Sequence, residues 1–167
     1  GNGKSFLLSA IALYMLAVDG ESGAEVYSAA VTRDQARIVF KVAQELVRRS
    51  PHIFNELGIE RQAHAIVQLN SASSFSALSA DDKSLDGLNV HFAAVDELHA
   101  HPTRGVYDVL ETAIGKRSQP LLGVITTAGS DRTGICYEVR DDIRKILDGI
   151  AHDESSWGKF DRGVERL

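Results

Sequence analysis

Apolar positions along the chain alternate between short strand-like runs and longer helix-like runs. Residues 5–18 predict a helix that is apolar on all sides, so we expect it to be buried. A second helix is predicted over residues 35–49, with Thr32 or Asp34 as its cap. The other predicted elements are helices over 105–114 and 135–150, and strands over 25–30, 65–69, 74–78, 90–95 and 121–126.

The order of these elements predicts an α/β fold. Strands that alternate with helices are joined by crossover connections, which gives a parallel sheet flanked by helices. Strands 65–69 and 74–78 are short and are joined by an Asn70-Ser71 turn. Residues 80–89 are polar, and residues 151–167 lose the periodic pattern. We therefore expect one domain over residues 1–150, followed by an irregular tail over 151–167.

Two of the predicted helices carry an apolar face that we expect to point inward. In the helix over 35–49 this face comprises Ile38, Val39, Val42, Leu46 and Val47. In the helix over 135–150 it comprises Val139, Ile143, Ile146 and Leu147.

Composition adds a few limits to this picture. The 167 residues are 44% hydrophobic, which is enough for one domain with a core. The net charge of −5 argues against a protein that coats nucleic acid by charge alone, but not against contact through a few loops. The single cysteine, Cys136, fits a reducing compartment, and we expect it to be a small buried residue. No apolar run reaches the roughly 18 residues of a membrane span.

The first five residues carry the first chemical signal. Gly1, Asn2, Gly3, Lys4 and Ser5 match the second half of the phosphate-binding pattern GxxxxGK[ST], and a helix follows. The glycine lets backbone N–H groups approach phosphate oxygens, the lysine supplies a cation, and the serine hydroxyl is a Mg²⁺ ligand. A glycine turn before a helix is the alternative explanation. Because half of the motif and its feeding strand are absent, we expect the chain to be a fragment that is poorly soluble or molten in isolation and has no measurable ATPase activity.

Paired acids give the second signal. An apolar strand ends in Asp96 and Glu97, which is the Walker B pattern of a phosphate-loop ATPase. Asp96 can hold the Mg²⁺ shell opposite Ser5, and Glu97 can activate the attacking water as general base. An acidic helix cap is the alternative for this motif alone. The occurrence of both motifs in this order favours an ATPase.

Two histidines follow the acids and allow a competing interpretation. His99 and His101 have a spacing that can serve zinc. The HExxH order of zinc proteases is absent, so we expect these side chains to pack or hydrogen-bond around the acidic corner instead.

A later strand, residues 121–126, ends in Thr126 and Thr127. Hydroxyls at the carboxyl end of a strand can face the ligand crevice of an α/β sheet, where they could sense the γ-phosphate. An ordinary β-branched strand end is the alternative. The glycines at 129 and 134 would let the following loop move.

Several segments, taken in order, resemble the terminase large subunits of tailed phages and prophages over residues 1–150. These segments are GNGKS, DGESGAEVYSAAVTRDQARIVF, SADDKSLDGLNVHFAAVDELHAHP, QPLLGVITTAG and GICYEVRDD. The resemblance implies a RecA-like phosphate-loop ATPase domain with an additional catalytic glutamate (the ASCE type), whose first strand is missing here. It also implies Mg²⁺ as cofactor and ATP as substrate. The family's carboxyl-terminal nuclease domain has no counterpart in this sequence, and we assign no nuclease activity.

The resemblance also implies roles for particular residues. Residues 1–5 would bind the nucleotide, with Ser5 and Asp96 on the metal and Glu97 as the catalytic base. Thr126, Thr127 and Ala128 would form the motif that couples hydrolysis to DNA movement, and residues 27–35 would lie beside the nucleotide.

The implied setting is a DNA-packaging motor in the cytoplasm of an infected bacterium. Its implied partners are double-stranded viral DNA, the portal protein and procapsid, a small terminase subunit and other copies in a homo-oligomeric ring, with no membrane. The sequence departs from the family at Asp86, where many members carry an arginine that acts in the neighbouring subunit. Lys83, Arg33 or Arg104 are the available substitutes. Two alternatives stay open: another DNA translocase or helicase-like ATPase of this fold, and an inactive prophage remnant.

Overall fold

The computed structural model describes residues 3–79, 87–127 and 134–149. Five helices and six strands occur in these ranges, together with a short 3-10 helix at Leu98–Ala100. The helices are α1 (Lys4–Ala17), α2 (Arg33–Arg49), α3 (Pro51–Glu56), α4 (Gly105–Ile114) and α5 (Ile135–Leu147). The strands are β1 (Glu25–Ala30), β2 (Ile59–Arg61), β3 (Ala65–Gln68), β4 (Ser73–Ser79), β5 (Val90–Asp96) and β6 (Leu121–Ile125). The predicted tail and residues 80–86 lie outside the described ranges.

The six strands form one sheet in the order β2-β3-β4-β1-β5-β6. Strands β4, β1, β5 and β6 are parallel, as the alternation of strands and helices predicted. Strands β2, β3 and β4 pair antiparallel at one edge of the sheet, and β3 and β4 are joined by the short turn predicted at Asn70-Ser71. The connection between β3 and β4 is too short for a crossover helix and can only turn the chain back.

The core lies on both faces of the sheet, and β5 is buried along its whole length. Phe92 and Ala94 on β5 pack with α1 and α2, whereas Ala93 and Val95 pack with α4. Successive side chains of a strand point to opposite faces, so one strand can serve both layers. This position between two layers fixes the paired acids, of which Asp96 ends β5 and Glu97 follows it.

Helix α1 was expected to be buried on all sides, and this expectation was wrong. Leu8, Ala12 and Leu16 face the sheet, whereas Phe6 and Tyr14 are exposed. Apolar residues around the whole helix make burial of every side favourable, but within the described residues only one side of α1 packs against other elements.

The apolar faces predicted for α2 and α5 differ in how far they are buried. In α2, Val39 and Val47 are buried as expected, while Ile38 is exposed. In α5, Val139 is partly buried against the core as expected, but the expectation was wrong for Ile143, Ile146 and Leu147, which are all exposed. Only Ile135, at the amino end of α5, is buried. A periodic pattern identifies which residues share a face, but not whether another element covers it.

Pro51 does more than stop α2. It occupies the first turn of α3, where proline is well tolerated because its missing N–H would have no partner. The sequence analysis predicted neither α3 nor β2. Both are short, and neither carries a strong periodic pattern. Across the described ranges, no helix combines the length and the apolar character needed to cross a membrane.

Candidate active site

The amino end of α1 meets the carboxyl end of β5. Lys4 Nζ lies 3.1 Å from Glu97 Oε1, although the two residues are 93 positions apart in the chain. Their side chains are 27% and 36% exposed, so the pair is accessible to solvent. The two motifs that the sequence singled out separately therefore form one site.

Gly3 begins α1 in the left-handed region, with φ 70°. This conformation favours glycine, and apart from its chain neighbours no atom of the described residues lies within 4 Å of where its Cβ would be. Within the described residues no side chain caps the helix here, so the first backbone N–H groups of α1 have neither an intrahelical partner nor a capping side chain. A helix terminus of this kind suits an anion such as phosphate. Gly1 and Asn2 lie outside the described residues.

The adjacent acids occupy different environments. Asp96 is buried at the end of β5, and its Oδ1 accepts a hydrogen bond of 2.9 Å from the backbone N–H of Glu97. Glu97 has a φ of 52° and a ψ of 49°, a strained conformation for a residue with a side chain. The resulting bend in the chain leaves the Glu97 carboxylate half-exposed beside Lys4. Strain at such a position often accompanies function.

The carboxyl end of β6 brings the predicted threonines to the same place. Ile125 pairs with Asp96 in the sheet, so the next two residues of each strand lie side by side. Thr127 Oγ1 donates to Glu97 Oε2 at 3.3 Å. The predicted proximity of Thr127 to Glu97 is confirmed, whereas Ala128 falls outside the described residues.

His99 lies between the acids and the threonines. Its Nδ1 is 2.9 Å from Thr126 Oγ1, 3.2 Å from Glu97 Oε2 and 3.4 Å from Thr127 Oγ1. The ring of His101 is buried, and this burial lowers the pKa of His101, while the backbone of Asp96 acts in the opposite direction. The two histidines therefore pack or hydrogen-bond around the acidic corner, as expected. No group of three metal-binding side chains occurs among the residues that the structure describes.

Charges around Glu97 keep its carboxylate ionised. The hydrogen bond from Lys4 lowers the pKa of Glu97, and the charges of Lys4 and His99 act in the same direction. The hydrogen bond from Thr127 lowers the pKa of Glu97 further. A carboxylate in this state can accept a proton from water.

The donor set of the site also fits a magnesium ion. Ser5 lies on the first turn of α1 and Asp96 ends β5, the two elements that the Lys4–Glu97 contact joins. Hydroxyl and carboxylate oxygens are the ligand types that Mg²⁺ prefers.

The candidate substitutes for the missing arginine differ in their surroundings. Arg104 bonds to Asp108 at 3.0 Å and Glu138 at 2.6 Å, so it joins α4 to α5 within the chain. Arg33 is exposed at the start of α2, and Lys83 lies outside the described residues. These contacts show Arg104 engaged within its own subunit.

Two polar contacts at the opposite end of the sheet were missed by the sequence analysis. His91 is fully buried and bonds through Nε2 to Asp19 Oδ2 at 2.9 Å. Arg117 bonds to Glu21 at 3.0 Å. A histidine within the apolar run 90–95 was the one available signal, because an unpaired polar side chain is costly in a core. Cys136 was expected to be buried but is only half-buried, with its Sγ 3.8 Å from Thr126 Oγ1.

A mixed α/β sheet with a phosphate-loop helix and paired acids at one edge defines a RecA-like phosphate-loop fold. The chain belongs to the family of terminase large subunit ATPase domains, whose model matches residues 1–145. The resemblance stated from the sequence is thus confirmed.

Individual relatives agree with this assignment. The chain is 29% identical to the terminase large subunit of Enterobacteria phage HK97 over 150 residues, 88% of this chain and 30% of that protein. It is 40% identical to protein YmfN of Escherichia coli (strain K12) over 73 residues, 44% of this chain and 16% of that protein. The chain thus spans less than a third of either relative.

Solved structures share the fold. The large terminase of HK97 superposes with a TM-score of 0.77 and 28% identity, covering 88% of this chain and 31% of that one. The large terminase ATPase domain of Thermus phage P74-26 gives a TM-score of 0.62 and 25% identity, covering 76% of this chain and 56% of that one.

Proposed function

We propose that this chain is the ATP-hydrolysing part of a viral DNA-packaging motor. The proposal depends on one observation: Lys4 and Thr127, which lie in separate parts of the fold, both contact the carboxylate of Glu97. These are the groups that phosphate binding, water activation and coupling would need. Membership of the terminase family supports the same role.

Nucleotide binding would begin at α1. Residues 1–5 would surround the phosphates, with the N–H groups after Gly3 and the ammonium of Lys4 as donors. An incoming phosphate competes with Glu97 for Lys4. Glu97 Oε1 would then become available to a water molecule.

Ser5 and Asp96 would hold Mg²⁺. When bound, the ion would neutralise charge on the phosphate oxygens and orient the group that is transferred. Glu97 would take the proton of the attacking water, because its half-exposed carboxylate is ionised and lies beside the phosphate-loop lysine.

Coupling would run through the end of β6. Thr126, Thr127 and Ala128 would respond to the loss of phosphate, since Thr127 shares Glu97 with Lys4. Residues 27–35 would line the nucleotide, because β1 neighbours β5 and its carboxyl end lies at the same edge.

The partners follow from the family. They would be double-stranded viral DNA, the portal protein of the procapsid, a small terminase subunit and further copies in a ring, all in the cytoplasm of the infected bacterium. With a net charge of −5, the chain would contact DNA through a few loops rather than a basic surface.

Replacement of Thr127 by valine tests the coupling. Thr127→Val keeps the shape of the side chain and removes the hydroxyl that bonds to Glu97. In the full-length gene product we expect near-normal ATP binding and a failure to package DNA. The measurement is ATP consumed against the length of DNA protected from nuclease in procapsids.

A matched control exists on α4. Thr112→Val also removes a hydroxyl, but that hydroxyl donates to the backbone of Asp108 and is exposed. This variant should package DNA normally. If Thr127→Val lowers ATP use and packaging in strict proportion, Thr127 serves catalysis and not coupling. ATP-driven strand separation without packaging would support a helicase-like ATPase, and no ATP binding would support an inactive remnant.

A further inference from the structure

The two oxygens of the Glu97 carboxylate have different partners. Oε1 contacts only Lys4 among the bonds found in the described residues, at 3.1 Å. Oε2 lies 3.3 Å from Thr127 Oγ1 and 3.2 Å from His99 Nδ1. When a phosphate takes Lys4, the Oε1 contact is lost while both Oε2 contacts can persist.

The hydrogen bonds around His99 fix which ring nitrogen carries its proton. Nδ1 faces a carboxylate oxygen, which can only accept. It also faces Thr126 Oγ1, whose own hydrogen is directed to the carbonyl oxygen of Thr127 at 3.1 Å. The third neighbour, Thr127 Oγ1 at 3.4 Å, directs its hydrogen to Glu97 Oε2. All three neighbours then act as acceptors, and we assign the proton to Nδ1.

His99 is itself held in place. Its backbone N–H donates to Thr126 Oγ1 at 3.2 Å, so main chain and ring are both tied to the end of β6. The preceding residue, Leu98, is fully buried in the core on the α4 side of the sheet. A ring anchored in this way can restrict a neighbour that has three rotatable bonds of its own.

We infer that His99 is a positioning residue that holds Glu97 Oε2 and so leaves Oε1 directed at the reacting water. This inference rests on the proposed function, since it assigns the support of the proposed base. Its reason is geometric: Glu97 is half-exposed, and once a phosphate has taken Lys4, the 3.3 Å bond from Thr127 would be the one contact in the described residues, besides the ring, that restrains its carboxylate. Correct orientation of a catalytic group is a large part of its effect.

Three substitutions of His99 distinguish the position of the hydrogen-bond donor from its presence. The side-chain amide nitrogen of asparagine stands at the same distance along the side chain as Nδ1 of histidine. The amide nitrogen of glutamine stands at the position of Nε2. His99→Asn therefore keeps a donor toward Glu97 and Thr126, while His99→Gln moves it away and His99→Leu removes it.

The experiment measures steady-state ATP turnover of the full-length gene product with these three variants. We expect His99→Gln and His99→Leu to lower kcat about tenfold, with KM for ATP within about twofold of wild type. His99→Asn should recover kcat to within about threefold of wild type. Thermal melting of each variant shows whether the fold persists.

Glu97→Gln serves as the reference variant. If wild type hydrolyses ATP, Glu97→Gln does not, and His99→Gln keeps the wild-type kcat, this inference is overturned and the proposed function stands. Equal losses in kcat, ATP affinity and melting temperature for all three His99 variants, asparagine included, would show a structural role and also overturn it. A wild-type protein without ATPase activity would overturn the proposed function and this inference together.

Discussion

The sheet carries a carboxylate–cation pair at each end, and the two pairs are built differently. At the carboxyl end, Lys4 and Glu97 share one contact, and both are partly exposed at 27% and 36%. At the amino end, Arg117 and Glu21 form a pair that is 11% and 23% exposed. The first pair can open at little cost, whereas the second is fixed.

Further bonds to Arg117 account for this difference. Its guanidinium donates to the backbone carbonyls of Ser22 and Gly23, before β1, and of Asn89, before β5. Ser118 Oγ adds a bond of 3.2 Å to Glu21. Lys4 has no such network in the described residues, and a lysine is a mobile point charge while arginine is a planar fork. The same kind of ion pair thus stabilises loops at one end and remains available to a ligand at the other.

The largest expected effect comes from removing the charge of Glu97. Glu97→Gln keeps the size of the side chain, but an amide cannot accept the proton of water. We expect turnover to fall by about 100-fold to 10,000-fold, with ATP binding retained. The measurement combines steady-state ATPase rates with titration of a fluorescent ATP analogue. Turnover at the wild-type rate would exclude Glu97 as the base.

Substitution of Lys4, the partner of Glu97, should have the next largest effect. Lys4→Ala removes a charge-assisted contact to phosphate, and we expect a loss of about 2 kcal/mol in ATP binding or in the transition state. Lys41→Ala, at an exposed position of α2, is the matched control and should change neither. Equal affinity and turnover for Lys4→Ala and wild type would remove the phosphate-loop assignment.

The amino-end pair should respond in stability instead of activity. Arg117→Lys keeps the charge but cannot hold three carbonyls and a carboxylate together. We expect the free energy of unfolding to fall by about 2 kcal/mol, with kcat unchanged. Denaturant unfolding of this variant beside Arg61→Lys, an exposed arginine on β2, checks this expectation. If Arg117→Lys lowers kcat and leaves the free energy of unfolding unchanged, the proposed difference between the two ion pairs is wrong.

The smallest expected effect is a pH dependence at Glu21. The hydrogen bond from Arg117 lowers the pKa of Glu21 below its usual 4.5, and the bond from Ser118 and the charge of His91 act in the same direction. The unfolded chain therefore binds more protons than the folded one just below pH 4.5. The stabilisation by Glu21 is present above that pH and is lost as the pH falls through the folded pKa.

Unfolding of wild type and Glu21→Gln at neutral and at acid pH measures this contribution. The difference in unfolding free energy between the two proteins should be largest at neutral pH and should shrink at acid pH. A difference that stays constant across this range would mean that Glu21 gains nothing from Arg117.

Local chemistry explains why much of the fold could be predicted. Strong periodic patterns located α1, α2, α4, α5 and five of the strands within a few residues, since the spacing of apolar positions reflects which face of an element can be buried. Short elements such as α3 and β2 lack that signal. The exposed face of α5 could not be foreseen either, because a pattern does not specify its partner.

The candidate site divides in the same way. The sequence by itself determined which residues are candidates for the phosphate loop and for the paired acids at the end of β5, because each motif is contiguous and its chemistry needs those residue types. Only the tertiary structure decided that Lys4 contacts Glu97, that His99 joins Glu97 to Thr126, and that Arg117 closes the opposite end of the sheet. Lys4 and Glu97 are 93 positions apart, His99 and Thr126 are 27 apart, and Arg117 and Glu21 are 96 apart. The contact between His99 and Glu97 is the local one. The order of strands sets such distances, and it results from the packing of the whole sheet, not from any one segment.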